Sequence, residues 1–334
     1  MDASYKIQRG IHVHLIQFFM CPEFWVHITE GLRFLSQRGR GSIAERNAKL
    51  ILMVGVLGVS ASAILVRFSQ APSGVTAAYR LGWTVLLLLP VVLLRCRAEL
   101  RRVTARDLVL CGASGVLLAL HFLTWFESLK RTSVASSTVL VSTEVIFTAL
   151  GFALFLHGKI PRLGVWAILL AFGGSALLAL SGGGGAGGLS GNLLALAAAS
   201  AAAGYTLLGR VQRGHLSTTV YTFLTYLACF LTLLLGTAAA GTPLTGYGGR
   251  EWLIGLALAV LCTLLGHSLF SWCLKYLSPS YVSAAKLCEP VFSSLAAIPL
   301  FGEVPGPLQL AGGAAVLGAV LLYTWAEREK TPAG

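Results

Sequence analysis

Ten apolar segments of 16 to 23 residues constrain the fold of this chain more than any other feature. A membrane-spanning α-helix needs about 20 predominantly apolar residues. Only 11% of the 334 residues are charged, which is too few to cover a water-exposed surface. The sequence therefore predicts an all-α membrane protein with ten transmembrane helices, at Leu50–Phe68, Val75–Leu94, Leu108–Leu129, Val134–Leu156, Leu163–Leu180, Leu193–Leu208, Thr218–Ala239, Trp252–Leu274, Ser280–Phe301 and Leu308–Trp325.

An internal repeat organises these segments. The stretch Leu108–Gly158 aligns without a gap with Leu253–Glu303, at a constant offset of 145 residues, and Glu144 falls on Glu289 in the middle of an apolar run. Each half holds five segments. Because five is odd, equivalent helices must cross the membrane in opposite directions, as in transporters with inverted repeats. The sequence thus predicts two inverted five-helix repeats.

The repeat divides the chain into five regions. The N-terminal extension is mixed in character and aromatic-rich, and two interpretations stay open for it: an amphipathic surface helix or non-native sequence. The predicted regions are 1–45 for this extension, 48–181 for the first repeat, 182–189 for a Gly-rich linker, 190–326 for the second repeat and 327–334 for a cytoplasmic tail.

The basic residues in the loops predict the topology. Sixteen Lys and Arg residues fall in one set of loops and four in the other, namely Arg67, Lys130, Arg131 and Arg250. The positive-inside rule then predicts a multi-pass protein of the cell membrane with both termini in the cytoplasm. Since the basic residues fill short gaps between apolar runs, the net charge of +12 does not indicate a nucleic-acid partner. The predicted partners are the lipid bilayer and a small molecule.

Nothing in the sequence predicts a metal or a cofactor. The seven cysteines form no CxxC pair and have no zinc-site spacing. The chain also lacks an HExxH motif and a cluster of loop carboxylates, which a membrane-embedded hydrolase would need. We therefore expect no enzyme.

Ionisable side chains inside the apolar segments are the candidate site residues. A charge within a span costs about 2.5–3.5 kcal/mol on insertion scales, so each one requires an explanation. Trp125 joins them because it lies one helical turn beyond a histidine and could line the same cavity. The predicted substrate-binding residues are Arg80, His121, Trp125, Glu144, His267, Lys286 and Glu289.

Structural explanations remain open beside the functional one. Lys286 and Glu289 are three residues apart and could pair only to fix helix packing. Glu144 could be a satisfied carboxylate, or could pair with Arg80 or with a histidine on another segment, and Arg80 itself could snorkel towards the surface. The two histidines could be hydrogen-bonded structure. We interpret Glu303 at the end of the ninth segment as a helix-end carboxylate that caps or orients a loop.

The chain resembles the EamA family of the drug/metabolite transporter superfamily over residues 48–326. The resemblance depends on the ten duplicated segments, an Arg in the second, Glu289-Pro290-Val291 with Phe301-Gly302-Glu303 in the ninth, and Leu129–Ser137 before the fourth. It implies a fold around a central cavity walled by segments three, four, eight and nine. Two departures are Glu144-Val145, where a Pro often follows, and His157-Gly158, where Gly-Glu is frequent.

The resemblance implies a carrier in a bacterial inner membrane that exports or imports amino acids, nucleosides or other small polar metabolites. We hypothesise an exporter working by alternating access. Arg80 and Lys286 would bind a substrate anion, Glu144 or Glu289 an amine, and one carboxylate or histidine could couple protons. The competing classes are a membrane-embedded enzyme acting on a lipid and a non-transporting interaction or sensor protein. The substrate, its direction and the oligomeric state stay open.

Overall fold

The computed structural model describes residues 41–155, 160, 162–180, 188–212, 216–267, 269, 273 and 288–328. Every regular element in those ranges is a helix. In chain order they are α1 (Gly41–Phe68), α2 (Ser73–Arg95), α3 (Arg97–Leu100), α4 (Ala105–Arg131), α5 (Val134–Val141), α6 (Glu144–Phe155), α7 (Arg162–Leu180), α8 (Gly188–Gln212), α9 (Thr218–Ala239), α10 (Gly249–Ala257), a π-helix (Leu258–His267), α11 (Cys288–Phe301) and α12 (Pro307–Arg328).

The chain divides into two compact units, Met1–Lys49 and Leu50–Gly334. Of the first unit the description includes only residues 41–49, so the predicted extension lies almost entirely outside it. The second unit contains the rest of α1, from Leu50 onwards, and every helix from α2 to α12.

Seven helical stretches in the described ranges are long and apolar enough to cross a membrane. Three shorter apolar helices occur at Arg162–Leu178, Cys288–Phe301 and Pro307–Tyr323. Large apolar side chains such as Leu94, Val109 and Leu235 are exposed on the helix surfaces, as expected where the surrounding solvent is lipid. The helical membrane fold is therefore confirmed, and the count of ten spans stays a prediction. The seven stretches are Leu50–Phe68, Ser73–Arg95, Ala105–Arg131, Val134–Gly151, Gly188–Gly209, Thr218–Ala239 and Gly249–Gly266.

The fourth predicted segment is not one unbroken helix. It divides into α5 and α6 at Ser142 and Thr143, directly before Glu144. The Ser142 hydroxyl donates to the Thr138 carbonyl at 3.0 Å, and the Thr143 hydroxyl to the Leu140 carbonyl at 2.6 Å. Side chains that bond the preceding turn in this way compete with the helical ladder and bend the helix. The fourth segment therefore breaks in this chain although Val145, and not a Pro, follows Glu144.

The eighth predicted segment also departs from regular α-helix. It begins as α10 and continues as a π-helix from Leu258 to His267. The Thr263 hydroxyl donates to the carbonyl of Leu258, five residues earlier, at 3.3 Å. π-Helical segments are rare and frequently lie at functional sites.

Small residues let the helices approach closely. A side chain at Gly115 of α4 would lie 2.6 Å from the Cβ of Ala228 and 2.7 Å from the carbonyl oxygen of Thr225, both on α9. Gly58 of α1 is equally close to the carbonyl oxygen of Leu261 in the π-helix, at 2.7 Å. Close backbone contact of this kind is the usual mode of helix association in membranes.

The loop between α1 and α2 is held by ionisable side chains from other elements. Glu251 accepts hydrogen bonds from the Ser69 hydroxyl at 2.6 Å and from the Gln70 amide at 3.1 Å. Lys130 donates to the Ala71 carbonyl, and Glu127 accepts from the Ser73 hydroxyl at 2.8 Å. Three consecutive loop residues, 69–71, and the first residue of α2 are therefore each held by a hydrogen bond.

Candidate functional site

Arg80 of α2 is the centre of the candidate site. Its side chain is only 1% exposed, so it does not snorkel to the surface. The Nε atom donates to the Thr263 hydroxyl at 2.9 Å, and Nη1 donates to the Ser62 hydroxyl at 3.0 Å. The Cζ atom lies 4.5 Å from the ring centroid of Phe122, in a cation–π contact. Arg80 thus joins α1, α2, α4 and the π-helix.

The guanidinium of Arg80 forms no ion pair with a carboxylate in the described part of the chain, in contrast to Arg67, which pairs with Glu303, and Arg131, which pairs with Glu127. Neutral hydroxyls and an aromatic face satisfy only part of its five donors. A buried charge that no carboxylate contacts directly is expensive. The arrangement therefore offers an anion-binding group in an apolar surrounding.

An aromatic wall on α4 continues from Arg80. The ring of His121 stacks on Trp125 with centroids 5.7 Å apart. Phe122, also on α4, lies 5.2 Å from the His121 ring and contacts the guanidinium of Arg80 from α2. The His121 Nδ1 atom is 3.0 Å from the Ala198 carbonyl oxygen of α8. Because a carbonyl oxygen can only accept, this hydrogen bond requires a proton on Nδ1. In the neutral ring Nε2 is then an acceptor.

Trp125 contributes an unused donor to this wall. Its side chain is 5% exposed, and its indole Nε1 has no hydrogen-bond partner within the described residues. Buried indole N–H groups usually find a partner. An orphaned donor beside the buried Arg80 cluster is available to a ligand.

Glu144 opens helix α6 directly after the break in the fourth segment. Its Oε1 atom accepts a hydrogen bond from the Thr206 hydroxyl of α8 at 2.7 Å. Glu144 and Arg80 both interact electrostatically with His121, although no direct ion pair joins the two. The alternative of a direct Glu144–Arg80 pair is therefore not what the structure has.

The second half contributes Glu289, the second residue of α11. Its carboxylate is half-buried and interacts electrostatically with Arg80. His267 ends the π-helix, but its side chain lies outside the described residues, as does the whole of Lys286. Of the seven predicted residues, the structure brings Arg80, His121, Trp125, Glu144 and Glu289 towards one region.

Sequence reasoning missed the neutral partners of these groups. Ser62 and Thr263 bind Arg80, and Thr206 binds Glu144. A signal existed, because each is a hydroxyl residue inside an apolar segment. Hydroxyls are common enough in membrane helices that the signal does not separate site residues from helix-packing residues.

No group of three or more His, Cys, Asp or Glu side chains that could hold a metal ion occurs in the described ranges.

Comparison with known proteins identifies the family. Residues 47–180 and 189–325 each match the model of the EamA-like transporter family. The pseudopaline exporters CntI of Pseudomonas aeruginosa strains UCBPP-PA14 and PAO1 are each 24% identical over 207 residues, which is 62% of this chain and 72% of theirs. A solved crystal structure shares the fold with a TM-score of 0.55 and 19% identity, covering 84% of this chain and 98% of that one. The chain is thus an integral multi-pass membrane protein and belongs to the EamA-like transporter family.

Proposed function

We propose that this protein exports small polar metabolites, amino acids or related compounds, by alternating access around the Arg80 site. The observation that carries the proposal is a fully buried guanidinium with hydroxyl and aromatic ligands in an apolar helix assembly. Ionisable residues within a membrane are costly and mark substrate or ion pathways. The exporter direction rests on the CntI relatives. A bacterial inner membrane rests on the family resemblance, and the cytoplasmic termini rest on the loop charges.

The arrangement favours a substrate with both an anionic and an amine group. Arg80 supplies a fork of donors that matches a carboxylate, and the Trp125 N–H supplies one more. Glu144 and Glu289 supply negative charge for an amine, because Glu144 interacts electrostatically with His121 and Glu289 with Arg80. In this proposal Lys286 and His267 complete the site from the second half, and Glu144 or His121 is the candidate proton carrier.

The packing of the helices supports two inverted five-helix repeats. Helix α4 packs against α8 and α9, and its repeat counterpart, Gly249–His267, contacts α1 and α2. Likewise α2 packs on α9, and α7 packs on α12. The proposed two-fold relation exchanges the two helices of each pair, so each of these contacts would be mapped onto itself. The tandem family matches at 47–180 and 189–325 agree with the proposed repeat boundaries.

A ligand screen followed by a flux assay tests the proposal. The purified protein is screened by thermal shift against amino acids, carboxylic acids without an amine, simple amines and nucleosides. A ligand at 100 times its Kd stabilises the folded state by about 2.7 kcal/mol. The compound with the largest shift is then assayed for counterflow in proteoliposomes. We expect an amino acid or related zwitterion to give both signals; stabilisation without flux for every compound would contradict a transport function.

Glu144→Gln tests the role given to the carboxylate. Because the amide keeps the size of the side chain and removes its charge, we expect affinity for the selected zwitterion to fall about tenfold, as for loss of one charge-assisted hydrogen bond. Affinity for its amine-free analogue should not fall. The control is Glu127→Gln, which changes a half-exposed carboxylate paired with Arg131 on the same helix. An equal loss for both ligands would refute an amine contact at Glu144.

A further inference from the structure

Glu303 joins the two halves of the chain at one end of the helix assembly, where α1, α4 and α11 end and α5 begins. Its Oε1 atom lies 2.8 Å from Nη2 of Arg67, and its Oε2 atom accepts the backbone N–H of Val134 at 2.8 Å. Arg67 also donates to the backbone carbonyls of Leu129 and Thr132. One carboxylate from the second half therefore holds α1, α4 and α5 of the first. We call these five residues the Glu303 clamp.

The local sequence explains why Glu303 reaches this position. Gly302 has φ +66°, a left-handed conformation that ends α11 and that glycine adopts without strain. The Glu303 amide then bonds back to the Ala297 carbonyl at 3.5 Å. On the other side, the first amides of α5 have no intrahelical acceptor, and the positive end of a helix favours an anion. The carboxylate is thus directed onto a terminus that attracts it.

Apolar packing and polar bonds together hold the halves around the clamp. The Phe301 ring of α11 lies 5.0 Å from the Phe68 ring and 5.9 Å from the Arg67 guanidinium carbon. Gln309 of α12 donates to the hydroxyls of Ser133 at 3.2 Å and Ser136 at 3.1 Å. A small pocket remains between α5, α11 and α12, lined by Ser133, Ser294, Glu303 and Gln309 among others.

The clamp lies between the Arg80 site and this end of the protein. Ser62, which binds Arg80, precedes Arg67 by five residues on α1, about 7.5 Å along a helix axis. The side chains of Arg67 and Glu303 are 29% and 18% exposed. Water can therefore solvate both charges once they part, so opening avoids the penalty of leaving a buried charge unpaired.

We propose that the Glu303 clamp is the gate at this end, and that Arg67 and Glu303 are gating residues whose separation exposes the Arg80 site. The proposal rests on alternating access. It gives the residues a positioning role: they hold two bistable halves together and do not touch the substrate.

Native cysteines report the state of the gate. Cys229 and Cys262 are fully buried in the hydrophobic cluster that contains Phe122, whose ring faces Arg80, and Cys262 directly precedes Thr263, which binds Arg80. Cys111 is equally buried but lies near the start of α4, beside Gln212 at the opposite end. In lipid nanodiscs, maleimide labelling of each thiol is followed by peptide mass spectrometry for the parent, Glu303→Gln and Arg67→Gln. We expect both variants to raise the labelling rates of Cys229 and Cys262 about tenfold, corresponding to about 1.4 kcal/mol in the gate equilibrium.

Two controls make the result specific. Arg131→Gln breaks an ion pair at the same end whose partners lie on one helix, and its labelling should match that of the parent. Cys111 should stay protected in every variant. Unchanged labelling of Cys229 and Cys262 overturns the gate, and so does an equal rise at Cys111, which indicates general loosening. Since labelling needs no substrate, a parent protein without flux would contradict the proposed function and leave the gate standing.

Discussion

Arg80→Met is expected to lower affinity for the transported zwitterion about tenfold to hundredfold, and to leave thermal stability unchanged or raise it. The guanidinium is buried with only hydroxyl and aromatic ligands. Charge-assisted hydrogen bonds contribute about 1.5–3 kcal/mol each, so their loss accounts for the fall in binding. Replacing buried charges by apolar groups of similar volume is often neutral or stabilising. Equilibrium binding and the melting temperature in the same detergent measure both effects.

The opposite signs of the two effects separate a binding role from a structural one. If Arg80 served only to connect α1, α2 and the π-helix, its removal would lower the melting temperature, and binding would fall only as the folded fraction falls. Arg131→Met is the matched control, because that guanidinium is half-exposed and paired within its own helix. Normal affinity in Arg80→Met would remove Arg80 from the site.

Gly115→Leu is expected to be the most destabilising single change in the α4–α9 contact. The first added carbon already lies 2.6 to 2.8 Å from Ala228, Thr225 and Cys229, and two of those contacts are backbone atoms that cannot move aside. Overpacking in a core costs about 1–3 kcal/mol and at times more. Here the helices must separate, so we expect little folded protein. Size-exclusion profiles and the melting temperature provide the measurement.

Gly112 provides a control on the same helix. A Cβ at this position meets nothing within 4 Å. Gly112→Leu should therefore fold normally, and leucine's higher helix propensity can add up to about 1 kcal/mol. Equal behaviour of the two variants would show that α4 and α9 do not approach each other as closely as described.

The charged residues of the candidate site could be selected from the sequence because a charge in an apolar segment is costly wherever it occurs. Arg80, His121 and Glu144 were selected on that ground alone. Their partners could not be selected, since Ser62 and Thr263 lie 18 and 183 residues from Arg80 and no periodicity in one segment tells which helix faces another. Hydroxyls cost little to bury when they bond to their own helix, so they do not stand out.

The same limit applies to the fold. Apolar length predicted where helices run, and the helical membrane fold followed. The break before Glu144 had a local cause in Ser142 and Thr143 that could have been recognised. The π-helix at Leu258–His267 had none, because a shift from i−4 to i−5 bonding is decided by the neighbours a helix packs against. The order of the halves and the number of spans depend on such packing.

The tightly bonded loop between α1 and α2 also determines where this protein can be engineered. An epitope or fluorescent tag inserted at residues 69–72 would separate Glu251 and Lys130 from their bonds to Ser69, Gln70 and Ala71. The connection after α9 is a better host, since Gly241 and Gly246 have positive φ and open space around them. Chain insertions are tolerated at exposed loop tips whose backbone is not engaged. The amides of Gly241 and Thr242 bond back to the end of α9, and the Leu244 carbonyl accepts from Tyr79. Reporter fusions for mapping membrane sidedness therefore belong near the exposed Gly246.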